Sequence, residues 1–284
     1  MDTPIAIQQA LGSNLEPLFL LITQLGSDFA YIAVLVIYCW AIHPAGIRNL
    51  GIYFSIALLS NAILKDWVAK ERPYILNPEI ASLAAQKTAG GYSFPSGHAQ
   101  VTATLWGLIA YQQRRPWLWV VAVLLTLAVG FSRVYLGVHY LEDVLWGLLL
   151  GWGLVGVAVW VPIPSGSPVW NWVLAGALLG CSSFSTEEVG RALGMGSAFW
   201  VTSASFNLSK QPFLKWVLAI GVLCVTVGFY LASSVLLPEA FKRSGIGAFL
   251  RFGLLTLWVT EILPRLVFSR TNVRYQPQGQ KDPL

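Results

Sequence analysis

The stretch from Ser132 to Asp143 contains an arginine, a histidine and two carboxylates in a chain that is otherwise poor in charge. Charged groups are unfavourable in apolar surroundings unless they are paired or take part in function. His139 and Asp143 are four residues apart, so we expect them to share one face of a helix. There the carboxylate would accept the Nδ1 proton of the imidazole and leave Nε2 available as a nucleophile or a base. The pair is half of a candidate catalytic triad, although such a spacing is also common by chance.

The composition shows in which environment these residues lie. Of the 284 residues, 56% are hydrophobic and only 11% are charged, whereas soluble domains have about 25% charged residues. The chain is therefore predicted to be an integral membrane protein. A net charge of +5 would suggest nucleic acid as a partner of a soluble protein. Here the basic residues lie mostly between apolar runs, so no nucleic-acid partner is expected.

The apolar runs predict an all-α, polytopic transmembrane helical bundle with about eight spans. The first run is interrupted by Gly26, Ser27 and Asp28, so we expect a partly inserted helix followed by a span from about Phe29. The other predicted spans are approximately residues 50–64, 98–111, 117–131, 139–161, 169–181, 213–237 and 246–268.

Three regions are predicted along the chain. Residues 1–163 form a catalytic core, residues 164–270 add membrane helices of unknown role, and residues 271–284 form a mobile tail. Within the second region, Gly194–Phe199 and Gly245–Phe249 are similar stretches of small residues that would let helices approach closely. Chance similarity explains this resemblance equally well, and no function is drawn from it.

Because membrane helices alternate in direction, the end of the second span, the start of the third, the end of the fourth and the start of the fifth lie at one membrane face. Those places hold the unusual residues, which are Lys65, Arg72, Phe94-Pro95-Ser96-Gly97-His98, Ser132, Arg133, His139 and Asp143. Lys65 and Arg72 are seven apart, which places them on one side of a continuing helix. The start of the third span offers the N–H groups of a helix N-terminus, which bind anions. Three cations, this helix start, two histidines and a carboxylate match the needs of a phosphate group.

The segments Lys65-x6-Arg72-Pro73, Pro95-Ser96-Gly97-His98 and Ser132-Arg133-x5-His139-x3-Asp143 resemble the three-part signature of the type 2 phosphatidic acid phosphatase (PAP2) family, which includes vanadium haloperoxidases. The signature extends from Lys65 to Asp143 and shows no departure from the family pattern. The flanking helices, and everything after about Val161, lie outside it. The resemblance implies the integral membrane lipid phosphatase branch, with an all-helical core and the active site at one membrane face.

The resemblance also implies a role for each site residue. His139, oriented by Asp143, attacks phosphorus and forms a phosphohistidine. His98 protonates the leaving alkoxide and then activates the water that hydrolyses the intermediate. The residues that hold the phosphate oxygens are Lys65, Arg72, Ser96, the Gly97 N–H and Arg133. Because these donors supply the charge that Mg²⁺ usually supplies, no metal and no cofactor are expected.

Two neighbouring residues are assigned to the periphery of the site. Lys70 is interpreted as a solvated loop residue, with contact to a substrate headgroup as the alternative. Glu142 is adjacent to Asp143 but points about 100° away from it on a helix. Neither is predicted to take part in the chemistry.

The resemblance does not determine which substrate this protein uses. Members of the family act on phosphatidic acid, sphingoid-base phosphates, phosphatidylglycerophosphate, polyprenyl diphosphates and soluble sugar phosphates. The phosphorylated lipid would enter from the bilayer, with membrane lipids as neighbours. Alternatives are a phosphotransferase with a lipid or sugar acceptor, a phospholipid carrier without catalysis, a pseudo-enzyme and a vanadium-dependent peroxidase. The multi-span composition disfavours the peroxidase. The sequence does not determine whether the protein forms a homo-oligomer.

The loops at the other membrane face indicate the orientation. They carry Arg48, Arg114, Arg115, Lys242 and Arg243, with Glu239 as the only acid. By the positive-inside rule that face is cytoplasmic. The site is therefore predicted to face the periplasm, the exterior or a lumen.

Overall fold

The computed structural model describes residues 2–164, 167–203 and 212–268. The fold is all-α, as predicted, and no β-strand occurs in these ranges. The helices are α1 Asp2–Leu11, α2 Glu16–Gln24, α3 Asp28–Ile37, α4 Ile47–Val68, α5 Pro73–Leu76, α6 Leu83–Gln86, α7 Gly97–Gln113, α8 Pro116–Tyr135, α9 Leu141–Trp160, α10 Pro168–Ser182, α11 Glu187–Val201, α12 Pro212–Leu236, α13 Glu239–Lys242, α14 Gly245–Leu257 and α15 Leu263–Phe268. π-Helical turns at Tyr38–Ile42 and Trp258–Ile262 follow α3 and α14. The predicted tail, residues 271–284, lies outside the described residues.

Fewer candidate membrane spans are found among the described residues than the eight predicted. Within the described ranges, five helices are long and apolar enough to cross a membrane, or six if α2 and α3, which are bent by 44° relative to each other, count as one broken span. The break expected around Gly26 is therefore present. The two remaining predicted spans correspond to α7 with 17 residues and α10 with 15 residues. Both are shorter than the roughly 20 residues that a hydrocarbon core requires, so the count of eight is not confirmed.

The described chain divides into two compact units. The first contains the described residues up to Tyr31 and those from Ala57 to Pro162. The second contains Ile32–Ile56 and the described residues from Ile163 onward. All of the predicted site residues belong to the first unit.

In the first unit, α7 is packed between α8 and α9, and it is buried along most of its length. Glycines on α9 allow the close contact. A Cβ atom on Gly147 would lie 2.6 Å from the carbonyl oxygen of Ser96, and one on Gly151 would lie 2.4 Å from that of Gln100. Backbone packed this closely holds the start of α7 firmly against the first half of α9.

The turn between α8 and α9 also depends on a glycine. Gly137 has a φ of +68°, and a Cβ atom there would lie 2.2 Å from the carbonyl oxygen of Ile80. Only glycine adopts this left-handed conformation without steric cost and leaves room for the neighbouring chain. The turn carries the chain from Arg133, near the end of α8, to His139.

In the second unit, the two similar small-residue stretches pack against each other, because α11 and α14 lie side by side. A Cβ atom on Gly194 would lie 2.3 Å from the carbonyl oxygen of Phe249. Polar contacts involve the π-helical turns of the same unit. The hydroxyls of Thr202 and Thr260 are 2.8 Å apart, and the indole of Trp40 donates to the carbonyl of Val259.

Candidate active site

His139 and Asp143 lie next to each other and are almost fully buried. The prediction that they share one helix is wrong, because α9 begins at Leu141 and Tyr140 has an extended backbone. Asp143 lies in the first turn of α9, where its Oδ2 accepts the backbone N–H of Tyr140 at 3.0 Å. This contact folds the preceding chain back over the helix start. The result is a distance of 3.6 Å between Nδ1 of His139 and Oδ2 of Asp143.

Ser93, which the sequence analysis did not single out, lies between these two side chains. Its buried hydroxyl oxygen is 2.5 Å from Oδ2 of Asp143 and 3.4 Å from Nδ1 of His139. An ionised carboxylate only accepts hydrogen bonds. The Ser93 hydroxyl therefore donates to Asp143 and turns a lone pair toward the imidazole.

Arg72 fixes the tautomer of His139. Its Nη1 is 3.0 Å from Nε2 of His139 and 2.8 Å from the carbonyl oxygen of Val138. A guanidinium only donates, so Nε2 accepts and the ring proton resides on Nδ1. Burial, followed by the charges of Arg72 and Arg133, lowers the pKa of His139 well below its ordinary value of 6.5. The direction of this shift favours a neutral imidazole, in which Nε2 carries the lone pair.

Lys65 and Arg72 meet, although not through the predicted continuing helix. α4 ends at Val68, Ala69 has a left-handed φ of 48°, and Arg72 precedes α5 in an extended conformation. Nζ of Lys65 is 3.2 Å from the carbonyl oxygen of Gly90, and Nη2 of Arg72 donates to the same oxygen. The break in the helix turns Arg72 toward His139.

Arg133 is completely buried at the end of α8. Its Nη1 donates to the hydroxyls of Thr23 and Thr88 at 2.7 and 2.9 Å, and Nη2 donates to the carbonyl of Thr88 at 3.1 Å. Nε of Arg133 and the hydroxyl of Ser96 are also buried, and neither atom has a hydrogen-bond partner among the described residues. A buried donor without a partner costs about 1–3 kcal/mol. Both atoms are therefore ready to bond a ligand oxygen.

The segment Thr88–Gly91 accepts hydrogen bonds from all three cations. Lys65 and Arg72 bond the carbonyl of Gly90, Arg72 Nε also bonds that of Gly91 at 2.9 Å, and Arg133 bonds that of Thr88. Gly90 and Gly91 are exposed. Neutral carbonyl dipoles thus surround a group of positive charges.

Ser96, Gly97 and His98 form the start of α7, as predicted. The side-chain amide of Asn61 donates to the carbonyl of Pro95 at 3.2 Å, which fixes the chain just before the helix. His98 is partly exposed and lies outside the candidate spans. Burial of its ring, followed by the charge of Arg133 and the other site residues, lowers the pKa of His98 well below 6.5. The direction of this shift favours the neutral imidazole of His98 in the site without a ligand.

Lys70 and Glu142 lie closer to the site than the sequence indicated. Nζ of Lys70 bonds Oδ1 of Asp143 at 2.8 Å and also bonds Glu142. The same ammonium lies 4.1 Å from the ring centroid of Tyr140. Asp143 therefore has donors from Ser93, Lys70 and the backbone of Tyr140, which hold its carboxylate in one orientation.

Within the part of the chain that the structure describes, no group of three or more His, Cys, Asp or Glu side chains is arranged to hold a metal ion. The arrangement instead combines a neutral histidine, a fixed carboxylate and three cations. Chemically it can bind an oxyanion and present Nε2 of His139 to its central atom.

Comparison with known proteins identifies related chains. Residues 46–165 match the sequence model of the PAP2 superfamily. Phosphatidylglycerophosphatase B of Bacillus subtilis is 35% identical over 102 residues, which cover 33% of this chain and 46% of that protein. Undecaprenyl-diphosphatase of Sulfolobus acidocaldarius is 32% identical over 143 residues, which cover 49% of this chain and 66% of that protein.

Among solved structures, a transmembrane PAP2 type phosphatidylglycerolphosphate phosphatase from Bacillus subtilis matches with 27% identity and a TM-score of 0.43, over 56% of this chain and 86% of the other. The chain spans less than two thirds of the length of the two curated relatives. Every predicted site residue lies within residues 46–165. The part of the chain that holds the candidate site is therefore similar to the PAP2 superfamily.

Proposed function

We propose that this chain is a membrane-embedded phosphatase that hydrolyses a lipid phosphate, either a monoester or the terminal phosphate of a diphosphate. The observation that carries the proposal is the neutral His139, whose Nε2 lies 3.0 Å from Arg72 while Asp143 lies on its Nδ1 side at 3.6 Å. A nucleophile held between a carboxylate and a phosphate-binding cation serves phosphoryl transfer. The two curated relatives are named as a phosphatidylglycerophosphatase and an undecaprenyl-diphosphatase, which supports a lipid substrate.

In the first step, Nε2 of His139 attacks phosphorus in line with the leaving oxygen. An N–P bond forms, the P–O bond to the lipid breaks, and the alkoxide takes a proton from His98. The Nδ1 proton of His139 remains hydrogen-bonded toward Ser93 and Asp143, which stabilise the positive charge that develops on the ring.

In the second step, His98 is left as a neutral base. It takes a proton from a water molecule, the oxygen of this water attacks phosphorus, and the N–P bond breaks. Inorganic phosphate leaves, and His139 recovers its lone pair while His98 recovers its proton. The cycle balances without a metal ion or a redox partner.

The phosphate oxygens take over the hydrogen bonds that Thr88–Gly91 now accept. A phosphate dianion competes well with neutral carbonyls for Lys65, Arg72 and Arg133, because its negative charge attracts these cations in addition to accepting their hydrogen bonds. The unpartnered Nε of Arg133 and hydroxyl of Ser96 supply further donors, together with the N–H of Gly97. The negative charge also favours the protonated form of His98, which the first step requires.

A direct assay tests this function. The purified protein is incubated in EDTA with phosphatidylglycerophosphate, phosphatidic acid and an undecaprenyl diphosphate, and inorganic phosphate is measured. We expect release from at least one lipid, and none from His139→Gln. Wild-type protein that binds these lipids without turnover would favour the carrier instead, and turnover abolished by EDTA would contradict a metal-independent mechanism.

The proposed site faces the periplasm, the cell exterior or a lumen. The support is the charge of the loops on the other face, which include Arg114 and Arg115 between α7 and α8. A single cysteine introduced at Arg114 in a cysteine-free background tests this orientation. This cysteine should not react with a membrane-impermeant maleimide in intact cells, and it should react after permeabilisation. Reaction in intact cells would show the opposite orientation.

A further inference from the structure

The second unit holds a group of cations that the proposed reaction does not use. Arg251 lies six residues after the start of α14 at Gly245, which is about 9 Å along the helix axis. It is part of the 24-residue candidate span Gly245–Phe268. A charged side chain inside a membrane span is unfavourable unless it pairs with a counter-charge or serves a function.

The contacts of Arg251 satisfy hydrogen bonds without neutralising its charge. Nε donates to the hydroxyl of Ser233 at 2.8 Å, and Nη2 donates to the hydroxyl of Ser234 and to the carbonyl of Tyr230. The guanidinium also lies 4.8 Å from the ring centroid of Tyr230 and 5.4 Å from that of Phe252. Nη1 makes no hydrogen bond to any described residue, and no carboxylate of the described chain lies within 4.0 Å of the guanidinium.

Lys242 brings a second cation to the same place. Its Nζ donates to the carbonyl of Ser234, the residue whose hydroxyl Arg251 contacts. Glu239 is bonded to Lys242 at 2.7 Å and lies 3.4 Å from Nε of Arg243. Glu239 thus pairs with Lys242 and Arg243 and not with Arg251, so these four side chains together carry a net charge of about +2.

Two other acidic residues of the second unit do not form a salt bridge with Arg251 or Lys242. Glu187 and Glu188 begin α11, beside the point where Thr186 pairs with Ser244. In the described ranges neither reaches Arg251 or Lys242 within salt-bridge distance. The partial exposure of Arg251, Lys242, Ser233 and Ser234 leaves the group open to the surroundings of the unit.

We propose that Arg251 and Lys242 bind the phosphate group of an anionic phospholipid. The C-terminal end of the span-length α12 supplies Ser233 and Ser234, so the cations lie close to the depth where lipid headgroups begin. The two serines and the two aromatic rings orient the guanidinium, and Nη1 with its two N–H groups faces the lipid phosphate. An anion here neutralises a charge that the protein leaves uncompensated. The site uses no residue of the first unit and does not depend on the proposed phosphatase activity.

Binding is measured on the full-length protein in a neutral detergent. Native mass spectrometry gives the dissociation constants of phosphatidylglycerol and of phosphatidylcholine with the same acyl chains. We expect phosphatidylglycerol to bind at least about tenfold more tightly, because it carries a net negative charge that the choline group of phosphatidylcholine cancels. Equal affinity of the wild type for both lipids would overturn the proposal.

Variants locate the binding. Arg251→Gln should reduce the preference for phosphatidylglycerol about tenfold, and Lys242→Gln should reduce it less, because Lys242 already bonds Glu239. Lys215→Gln is the matched control, since it removes one positive charge from α12 beside Trp216 instead of beside the proposed site. An unchanged preference in both site variants, or an equal loss in Lys215→Gln, would refute the assignment.

A fallback variant and a competition experiment complete the test of the lipid site. If Arg251→Gln does not fold, the proposed lipid site is still tested by Lys242→Gln and by the affinities of the wild-type protein for the two lipids. Inorganic phosphate, added at the concentration of the lipid, should not displace phosphatidylglycerol. Displacement by free phosphate would show that the site binds phosphate as such, which contradicts a lipid site.

Discussion

Removal of the Ser93 hydroxyl tests how the proposed nucleophile is oriented. In Ser93→Ala, Asp143 loses a donor at 2.5 Å, and Nδ1 of His139 loses the oxygen at 3.4 Å. Asp143 keeps its bonds to Lys70 and to the backbone of Tyr140, so its position is largely retained. The defect should therefore appear in the chemical step and not in substrate binding.

The size of the effect follows from the bond that is removed. A hydrogen bond to a charged group contributes about 1.5–3 kcal/mol. If this interaction acts mainly on the developing imidazolium, kcat falls about 10- to 100-fold. The Ser93 hydroxyl lies against Asp143 and His139 and is not one of the proposed phosphate-binding groups, so KM should change by less than about threefold.

The assay is steady-state phosphate release by purified protein, with thermal unfolding measured in the same detergent. Ser55→Ala is the matched control, because Ser55 is also buried but its hydroxyl only bonds the carbonyl of Gly51 in its own helix. We expect its kcat to equal that of the wild type. A Ser93→Ala enzyme with unchanged kcat, or with an increase in KM alone, would refute the reasoning.

Three further predictions concern phosphate binding, packing and pH. Arg133→Lys should raise the inhibition constant of vanadate about tenfold, because a lysine cannot replace the planar guanidinium, whereas Arg114→Lys on the helix end should not change it. Gly151→Ala should lower the thermal unfolding midpoint, since its Cβ would lie 2.4 Å from the Gln100 carbonyl, at a cost of about 1–3 kcal/mol. Gly153→Ala, where a Cβ meets nothing within 4 Å, should not lower it. Because burial and neighbouring cations lower the pKa of His139, its neutral form persists below pH 6.5. The acid limb of kcat/KM should therefore lie below pH 6.5, and a limb at or above that value would contradict a neutral resting histidine.

Spacing along the chain was sufficient to predict several side chains that the structure brings close together, among them His139, Asp143 and Arg72. A turn rich in Pro and Gly before an apolar run marks a helix start, and this is where Ser96, Gly97 and His98 lie. His139 and Asp143 are near enough in sequence to meet by either a helix or a turn. The sequence favoured the helix, but the left-handed Gly137 and the capping role of Asp143 produce a turn instead.

The partners of these side chains could not be predicted from spacing. Ser93 is 50 residues from Asp143 in sequence, and only the packing of α7 against α9 brings the two together. The carbonyls of Thr88–Gly91 are backbone groups and give no residue-type signal. Lys70 lies beyond the end of α4, where the unpredicted break after Val68 changes its direction.

The predicted count of eight spans is not confirmed, because α7 and α10 are shorter than the other candidate spans. A short helix enclosed by other helices does not need the length or the uniform apolar surface of a helix that faces lipid. In α7 the buried Gln100 bonds the side chains of Asn61 and Ser60, and Thr104 bonds backbone carbonyls. Hydropathy alone does not distinguish such a buried helix from a membrane span.

The measurement that tests the central claim most directly is a search for phosphate on His139. His98→Ala protein lacks the base for the second step, so a phosphoryl group transferred from an activated phosphate ester should accumulate. Peptide mass spectrometry under neutral conditions is expected to find the added mass of one phosphoryl group on His139, and to find none in the double variant with His139→Gln. Phosphate release from wild-type protein without any such adduct, or an adduct on another residue, would contradict the phosphohistidine mechanism.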